Sequence, residues 1–371
     1  MSNVRKICVA LAVALLPLNA AAIDVVKPTP SFQIDVVFVL DTTGSMSGLI
    51  ENAKRKIWTI ANTIVDQNPN STIRVGLAGY RDIGDDYVVR YYPLTTDVQD
   101  IYAKLLAFEA SGGGDTPESV NEALDIAVTK MGWIESASKR SVRIIFLVGD
   151  APPHMDYDQD RKYPEIIAEA KRRGIVINAV QAGDMQSTRK IWKEIASLGG
   201  GEYIAIAQDG GRTIVIETPY DDEIIIIQRK INATIVPYGR IEKQRFVAEK
   251  RASYEAAPKD SSIEMSKFIN KNSGGAITGD GDLVGDVNNK VVTLDKVPVK
   301  ELPENMQKMT AKERERYIAE QTKLREGLSK ELIEKIKLRD DFVKAAEAKE
   351  KPVGDSFDRA VSRTLKKQAK E

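Results

Sequence analysis

From about residue 34 to residue 237, short apolar runs alternate with amphipathic stretches, and few folds accept that alternation. Residues 35–40 are nearly continuous in apolar side chains, as a strand buried on both faces requires. The spacing of Ile50, Ile57, Ile60, Ile64 and Val65 predicts a helix over 47–67. Residues 72–80 and 87–94 read as the next two strands, and Pro93 places the second at a sheet edge. A helix over 98–108 leads to the turn Ser111-Gly112-Gly113-Gly114, and Pro117 opens a further helix to about residue 131. Strands over 142–148, 175–181 and 203–207 then alternate with helices over 164–173, 188–198 and 220–235. The pattern predicts an α/β domain over residues 33–236: a doubly wound, mostly parallel sheet with helices on both faces.

Residues 237–371 lose the alternation and predict a mainly helical C-terminal extension. Residues 241–257 are charged and helical, ending at Pro258. Residues 273–286, rich in Gly and Asp, read as a loop, and 291–299 as a short strand or extended linker. A long helix spans 310–349, with Leu324, Leu328, Leu332 and Ile336 as one apolar stripe. A last amphipathic segment over 357–368 carries Phe357, Val361 and Leu365.

Lys and Arg number 54, as do Asp and Glu, so no basic excess argues for a nucleic-acid partner. At the N-terminus Arg5 and Lys6 precede an apolar run over 7–18 and the small residues Ala20, Ala21 and Ala22. That order predicts a secretory signal peptide over 1–22, too short to span a bilayer comfortably. After its removal no transmembrane segment is expected. The only cysteine, Cys8, lies within it, so an exported chain would carry no disulfide. A bacterial periplasmic or secreted location follows as the expectation.

The stretch Asp41-Thr42-Thr43-Gly44-Ser45 follows the first strand. Its Asp-x-Thr-x-Ser order puts three hard oxygen donors on one turn, suited to a small divalent cation. Thr116, after the glycines of Gly112-Gly113-Gly114, and Asp150, after the apolar run 144–148, are the other candidate ligands. All three loops fall at the rim where open parallel sheets bind ligands.

On these residues the chain resembles the von Willebrand factor A family. Asp41, Thr43 and Ser45, then Thr116, then Asp150 match that family's metal-ion-dependent adhesion site in order and spacing. The phrase Gly149-Asp150-Ala151-Pro152-Pro153-His154 looks like that of exported bacterial members. The resemblance implies Mg²⁺ as the usual cation, with Mn²⁺ or Ca²⁺ as alternatives. It implies direct coordination by Ser45 and either Thr43 or Thr116, with Asp41 and Asp150 often acting through water. It also implies a protein partner whose Asp or Glu completes the metal shell.

Catalysis is not expected. A phosphatase-type aspartyl nucleophile would have a second acid where Thr43 stands, and Ser45 lacks the flanking glycines of a nucleophile elbow. A serine triad would depend on His154, the only histidine. Asp280-Gly281-Asp282 lacks the later oxygen ligands of a calcium loop, at Val284 and Val291. Tyr80, Arg81, His154 and Gln181 are expected on the rim that meets the partner. The competing functions are an envelope assembly protein acting through its C-terminal helices and a metal-dependent hydrolase.

Overall fold

The computed structural model describes residues 32–69, 71–114, 116–134, 141–211, 216–272, 276–348 and 356–369. The segment expected to be a signal peptide, 1–22, lies outside them. The strands are β1 (Gln33–Asp41), β2 (Thr72–Tyr80), β3 (Val89–Thr95), β4 (Ser141–Gly149), β5 (Ile175–Ala182) and β6 (Gly200–Ile206). They form one sheet in the order β3-β2-β1-β4-β5-β6, parallel except for the antiparallel edge strand β3. The order reverses direction at β1 and β4, so their carboxyl ends open a crevice there.

The residues of β1 divide strictly between the two faces, as a period of two requires. Val36, Phe38 and Leu40 face one apolar core, and Val37 and Val39 face the other. The second core is closed by α3 (Val120–Thr129), α4 (Tyr163–Arg172) and α5 (Gln186–Leu198), which contribute Leu124, Ile166 and Trp192. The first is closed by α1 (Ser47–Gln67), α2 (Val98–Leu106) and two elements from far along the chain. These are α8 (Lys259–Asn272), with Phe268, and α12 (Phe357–Gln368), with Phe357, Val361 and Leu365. Phe38 stacks on Phe146 at 5.7 Å and meets the edge of Phe357 at 6.5 Å.

The helix after β6, α6 (Asp221–Ala233), buries Ile224, Ile227 and Ile231 in a third cluster. That cluster also takes Val247 of α7 (Ile241–Ala256), Ile263 of α8, and Leu332 and Ile336 of α11 (Ala311–Glu347). Between them lie α9 (Leu283–Asn288) and α10 (Glu304–Gln307). Residues 31–371 cluster as one unit, with the C-terminal helices packed onto the sheet's own helices.

Four local expectations change. The helix expected at Pro117 begins at Val120, because Glu118 instead bridges to Pro153 and its N–H is taken by the Pro152 carbonyl. Helix α8 is not marked in the sequence reading, since Pro258 hides its start behind the end of α7. Residues 291–299 form no strand: Leu294–Lys296 and Val299–Glu301 are 3-10 turns. In α11, Leu332 is buried but Leu324 is 52% exposed. A four-residue step overshoots a helical turn by about 40°, so the stripe drifts off the contact. The buried positions are Ile318, Arg325, Leu332, Ile336 and Arg339, and all but Ile336 recur every seventh residue. Two are arginines. Arg325 is paired with Asp282 and bonded to Thr234, and Arg339 with Asp221 and Glu264.

Phe357→Ala is expected to lower the unfolding free energy by about 3–5 kcal/mol, the range for truncating a buried phenylalanine. Urea titration followed by tryptophan fluorescence checks this. Leu324→Ala, at an exposed position of α11, should change it by less than about 0.5 kcal/mol.

Candidate metal centre

Asp41 is the last residue of β1 and pairs in register with Tyr80, the last of β2. Both are fully buried. The turn that follows is shaped by the Asp41 carboxylate itself. Its Oδ1 accepts from the Thr43 N–H at 2.9 Å and from the Thr43 hydroxyl at 2.6 Å. This is an Asx-type turn, in which a short acidic side chain takes over a backbone acceptor's role. It sets the Thr43 and Ser45 hydroxyl oxygens 3.3 Å apart at the 3-10 turn Gly44–Met46 that leads into α1. The glycine loop closes from one side, where Gly44 N–H donates to Gly112 O at 3.1 Å and Ser111 N–H to Thr42 O at 3.1 Å. Gly113 has φ +73, and a Cβ there would sit 3.0 Å from Thr43 Cβ and 3.1 Å from Glu118 Oε1. The glycine thus brings the loop between those two side chains, a close approach that only a residue without Cβ permits.

Asp150 follows β4 on the other side. Its Oδ2 accepts from Gln208 Nε2 at 2.6 Å, and the same nitrogen lies 3.3 Å from the Ser45 carbonyl. The Asp150 carbonyl accepts from the Thr188 hydroxyl at 2.8 Å. Thr116 is exposed, and among the described residues its side chain makes no hydrogen bond to the other four candidates. The structure therefore joins Asp41, Thr43 and Ser45 directly, places Asp150 beside Asp41, and leaves Thr116 on the facing loop.

The electrostatics around Asp41 penalise negative charge. Burial, reinforced by Asp150 and opposed by the Thr43 hydrogen bonds, raises the Asp41 carboxyl to about 7. Its Oδ2 accepts no hydrogen bond of normal geometry among the described residues, although the Asp150 N–H lies close enough to lower its proton affinity. Glu118 is pushed up further, to about 9, by burial and then by Asp41, Asp82, Asp150 and Asp85. Its Oε2 is likewise buried without a partner among the described residues. Buried carboxylates with free lone pairs beside two hydroxyls are the donor set of a hard divalent cation. Among the described residues no group of three or more His, Cys, Asp or Glu side chains has the arrangement of a metal cage. Two hydroxyls make this candidate centre a different kind.

The four residues expected on a partner-facing rim are placed otherwise. Tyr80 and Gln181 are fully buried, Arg81 is 4% exposed and His154 6%. Each is taken up inside. The Tyr80 hydroxyl donates to Val148 O, and Gln181 donates to Met185 O and accepts from the Tyr203 hydroxyl. Arg81 donates to the carbonyls of Thr42 and Glu109 and lies over the Tyr87 ring. His154 stacks on Tyr157 with 3.9 Å between centroids, between Asp82 at 3.4 Å and Asp156 at 2.9 Å. They brace the loops from inside. Polar residues at strand ends read as exposed in sequence, but here they satisfy loop carbonyls.

Two residues of the centre were not singled out beforehand, Glu118 and Gln208. Glu118 had a signal, because it stands two residues after Thr116 on the glycine loop. Gln208 had none, being brought to Asp150 only by the position of β6.

A family model described as von Willebrand factor A domain matches residues 35–218. An ariadne-like RING finger protein of Acanthamoeba polyphaga mimivirus is 27% identical over 125 residues, 33% of this chain. The match covers 11% of that relative's length. Among solved structures, the SpRpn10 VWA domain aligns at 15% identity with a TM-score of 0.36, over 47% of this chain and 88% of that one. Proximal thread matrix protein 1 from the mussel byssus aligns at 16% identity with a TM-score of 0.35, over 48% and 43% respectively.

Gly149 ends β4 directly before Asp150, and a Cβ there would run into the Tyr80 hydroxyl and lie 3.2 Å from Asp41 Oδ2. Gly149→Ala is expected to cost about 1–3 kcal/mol of stability, the usual range for overpacking a tight site. Adding Tyr80→Phe removes the clashing oxygen and should recover most of the loss, read as a double-mutant cycle in urea unfolding.

Proposed function

Residues 35–218 are a von Willebrand factor A domain, a protein-interaction module, and from that premise we propose that this chain captures partners through a bound divalent cation. The ion is Mg²⁺ in this reading, with Mn²⁺ or Ca²⁺ as substitutes. Ser45 and either Thr43 or Thr116 would hold it, with Asp41 and Asp150 behind them. When bound, the cation supplies an electron-poor acceptor for a carboxylate of the partner. The observation that carries this reading is the buried Asp41 carboxylate, with one oxygen spent on Thr43 and the other, among the described residues, without a hydrogen bond of normal geometry.

The chain's own residues define how such a centre would behave. Neutral hydroxyls at Thr43 and Ser45 donate oxygen without cancelling positive charge, so attraction for an incoming carboxylate is retained. Asp41 holds the Thr43 hydroxyl in place, and Gln208 holds Asp150. These contacts orient donors as outer-shell partners do in metal sites generally. The partner is a protein presenting an Asp or Glu. Binding is favoured over catalysis, because His154 is stacked and bracketed by acids rather than placed beside Ser45. A periplasmic or secreted setting belongs to the same proposal, on the strength of Arg5, Lys6 and the apolar run after them. Among the described residues no helix is long and apolar enough to cross a membrane.

A cation that binds only the folded state should raise the melting temperature, with about 2.7 kcal/mol of stabilisation at a hundredfold excess over Kd. Ser45→Ala should lose most of that shift. Asp41 adds a pH signature. Its folded carboxyl holds a proton up to about 7 against an ordinary value of 3.8. Ionising it therefore costs stability, and the metal-free protein should weaken as pH rises across that window. Asp41→Asn should remove the Asp41 share of this dependence, leaving that of Glu118, and abolish the Mg²⁺ shift. Scanning fluorimetry with Mg²⁺, Mn²⁺ and EDTA at pH 5 and pH 8 measures all of these. No shift and no calorimetric heat with either metal would end the metal-dependent reading and leave the C-terminal helices as the alternative interaction surface.

A further inference from the structure

We propose, building on the metal-dependent reading above, that the partner presents its carboxylate among large apolar residues on an otherwise basic surface. The loops at the carboxyl ends of β2, β4 and β5 flank the centre on both sides of β1. Each exposes one large apolar side chain: Ile83 at 50%, Met155 at 45% and Met185 at 41%. Their immediate neighbours turn inward and are tied down. Asp82 accepts from the Ser119 and Tyr157 hydroxyls at 2.7 and 2.8 Å. The His154 carbonyl accepts from Asn121 Nδ2 at 2.6 Å, and the Met185 carbonyl from Gln181. Tied loops at this end of the sheet therefore leave three apolar side chains about half-exposed, the Met155 sulfur still accepting from Asn121 Nδ2 at 3.7 Å. An isolated exposed apolar residue needs no explanation, but three on loops at the same end of the sheet as the centre are the feature that motivates this inference. Two are methionines, whose flexible thioethers adapt to varied apolar partners.

Charge selects the rest of the partner. The loops 81–88 and 150–162 carry seven acidic residues against three basic ones, an excess of four negative charges. Asp156 stands 73% exposed and Asp86 85%. One divalent ion offsets only two of those four charges, so the loaded face stays anionic. A second acidic residue near the partner's carboxylate would be repelled, whereas basic residues further out would be attracted and would speed encounter.

The test uses a phage-displayed linear peptide library with a fixed central Asp. It is selected on the immobilised full chain in Mg²⁺ and eluted with EDTA. The eluted pool should be enriched severalfold in Leu, Ile, Met and Phe within two positions of the Asp, and in Lys and Arg beyond. The triple variant Ile83→Ser, Met155→Ser, Met185→Ser, with an unchanged melting temperature, should keep EDTA elution and lose the apolar enrichment. An eluted pool with polar or acidic flanks overturns this inference while leaving metal-dependent capture standing. A chain that yields no EDTA-elutable pool overturns both.

Discussion

The structure turns on one buried carboxylate. Asp41 ends the central strand, and its Oδ1 folds the turn that follows by binding Thr43 twice. Burial of an unpaired acid is unfavourable, and a fold keeps one only where something else compensates. Here the surroundings deepen the cost. Asp150 faces Asp41 and Glu118 adds a second buried acid, while Gly113 and Gly149 let the loops crowd in. The same crowding that makes this cluster of acids unfavourable is what the proposed cation would relieve. The sheet matters to function mainly because it holds these loops at a separation they would not adopt alone.

The parallel sheet was legible because strands buried on both faces must be nearly continuous in apolar residues, as 35–40 and 142–148 are. The turn at Asp41-Thr42-Thr43-Gly44-Ser45 was legible because its geometry is local. Exposure at the rim was not. Arg81 and His154 look like surface residues in a sequence, yet the carbonyls and acids that bury them lie on other loops. Gln208 reaches Asp150 only through the order of strands β4, β5 and β6. Helix α11 shows a third kind of limit. Its apparent leucine stripe follows a step of four, but its contact line follows a step of seven and includes two arginines whose acids lie elsewhere.

Those arginines tie the C-terminal helices to the rest of the chain by charge as much as by apolar contact. Arg325 is held by Asp282 and Thr234, and Arg339 by Asp221 and Glu264, all buried or nearly so. Guanidinium forks fix direction as well as distance. Lys250, paired with Asp97 and donating to Thr278 O, repeats the device between α7 and the start of α2. Removing one partner from any of these pairs would strand a buried charge, which is costlier than the pair itself is stabilising.

Helix α12 closes the face of the sheet that β1 and β4 line, and it does so from the far side of the sequence. Asn68 donates to Ala369 O at 2.6 Å across 301 residues, and Thr63 meets Ser362 at 3.2 Å across 299. The Phe357 N–H donates to Gly210 O, two residues from Gln208. Contacts of such high order form late, because the loop-closure entropy must be overcome before they stabilise anything. A ribosome that has made all six strands has still not made the cover for Phe38 and Phe146. Until residues 357–369 emerge, a nascent chain carries an uncovered aromatic face, the kind of surface that chaperones recognise and aggregation exploits.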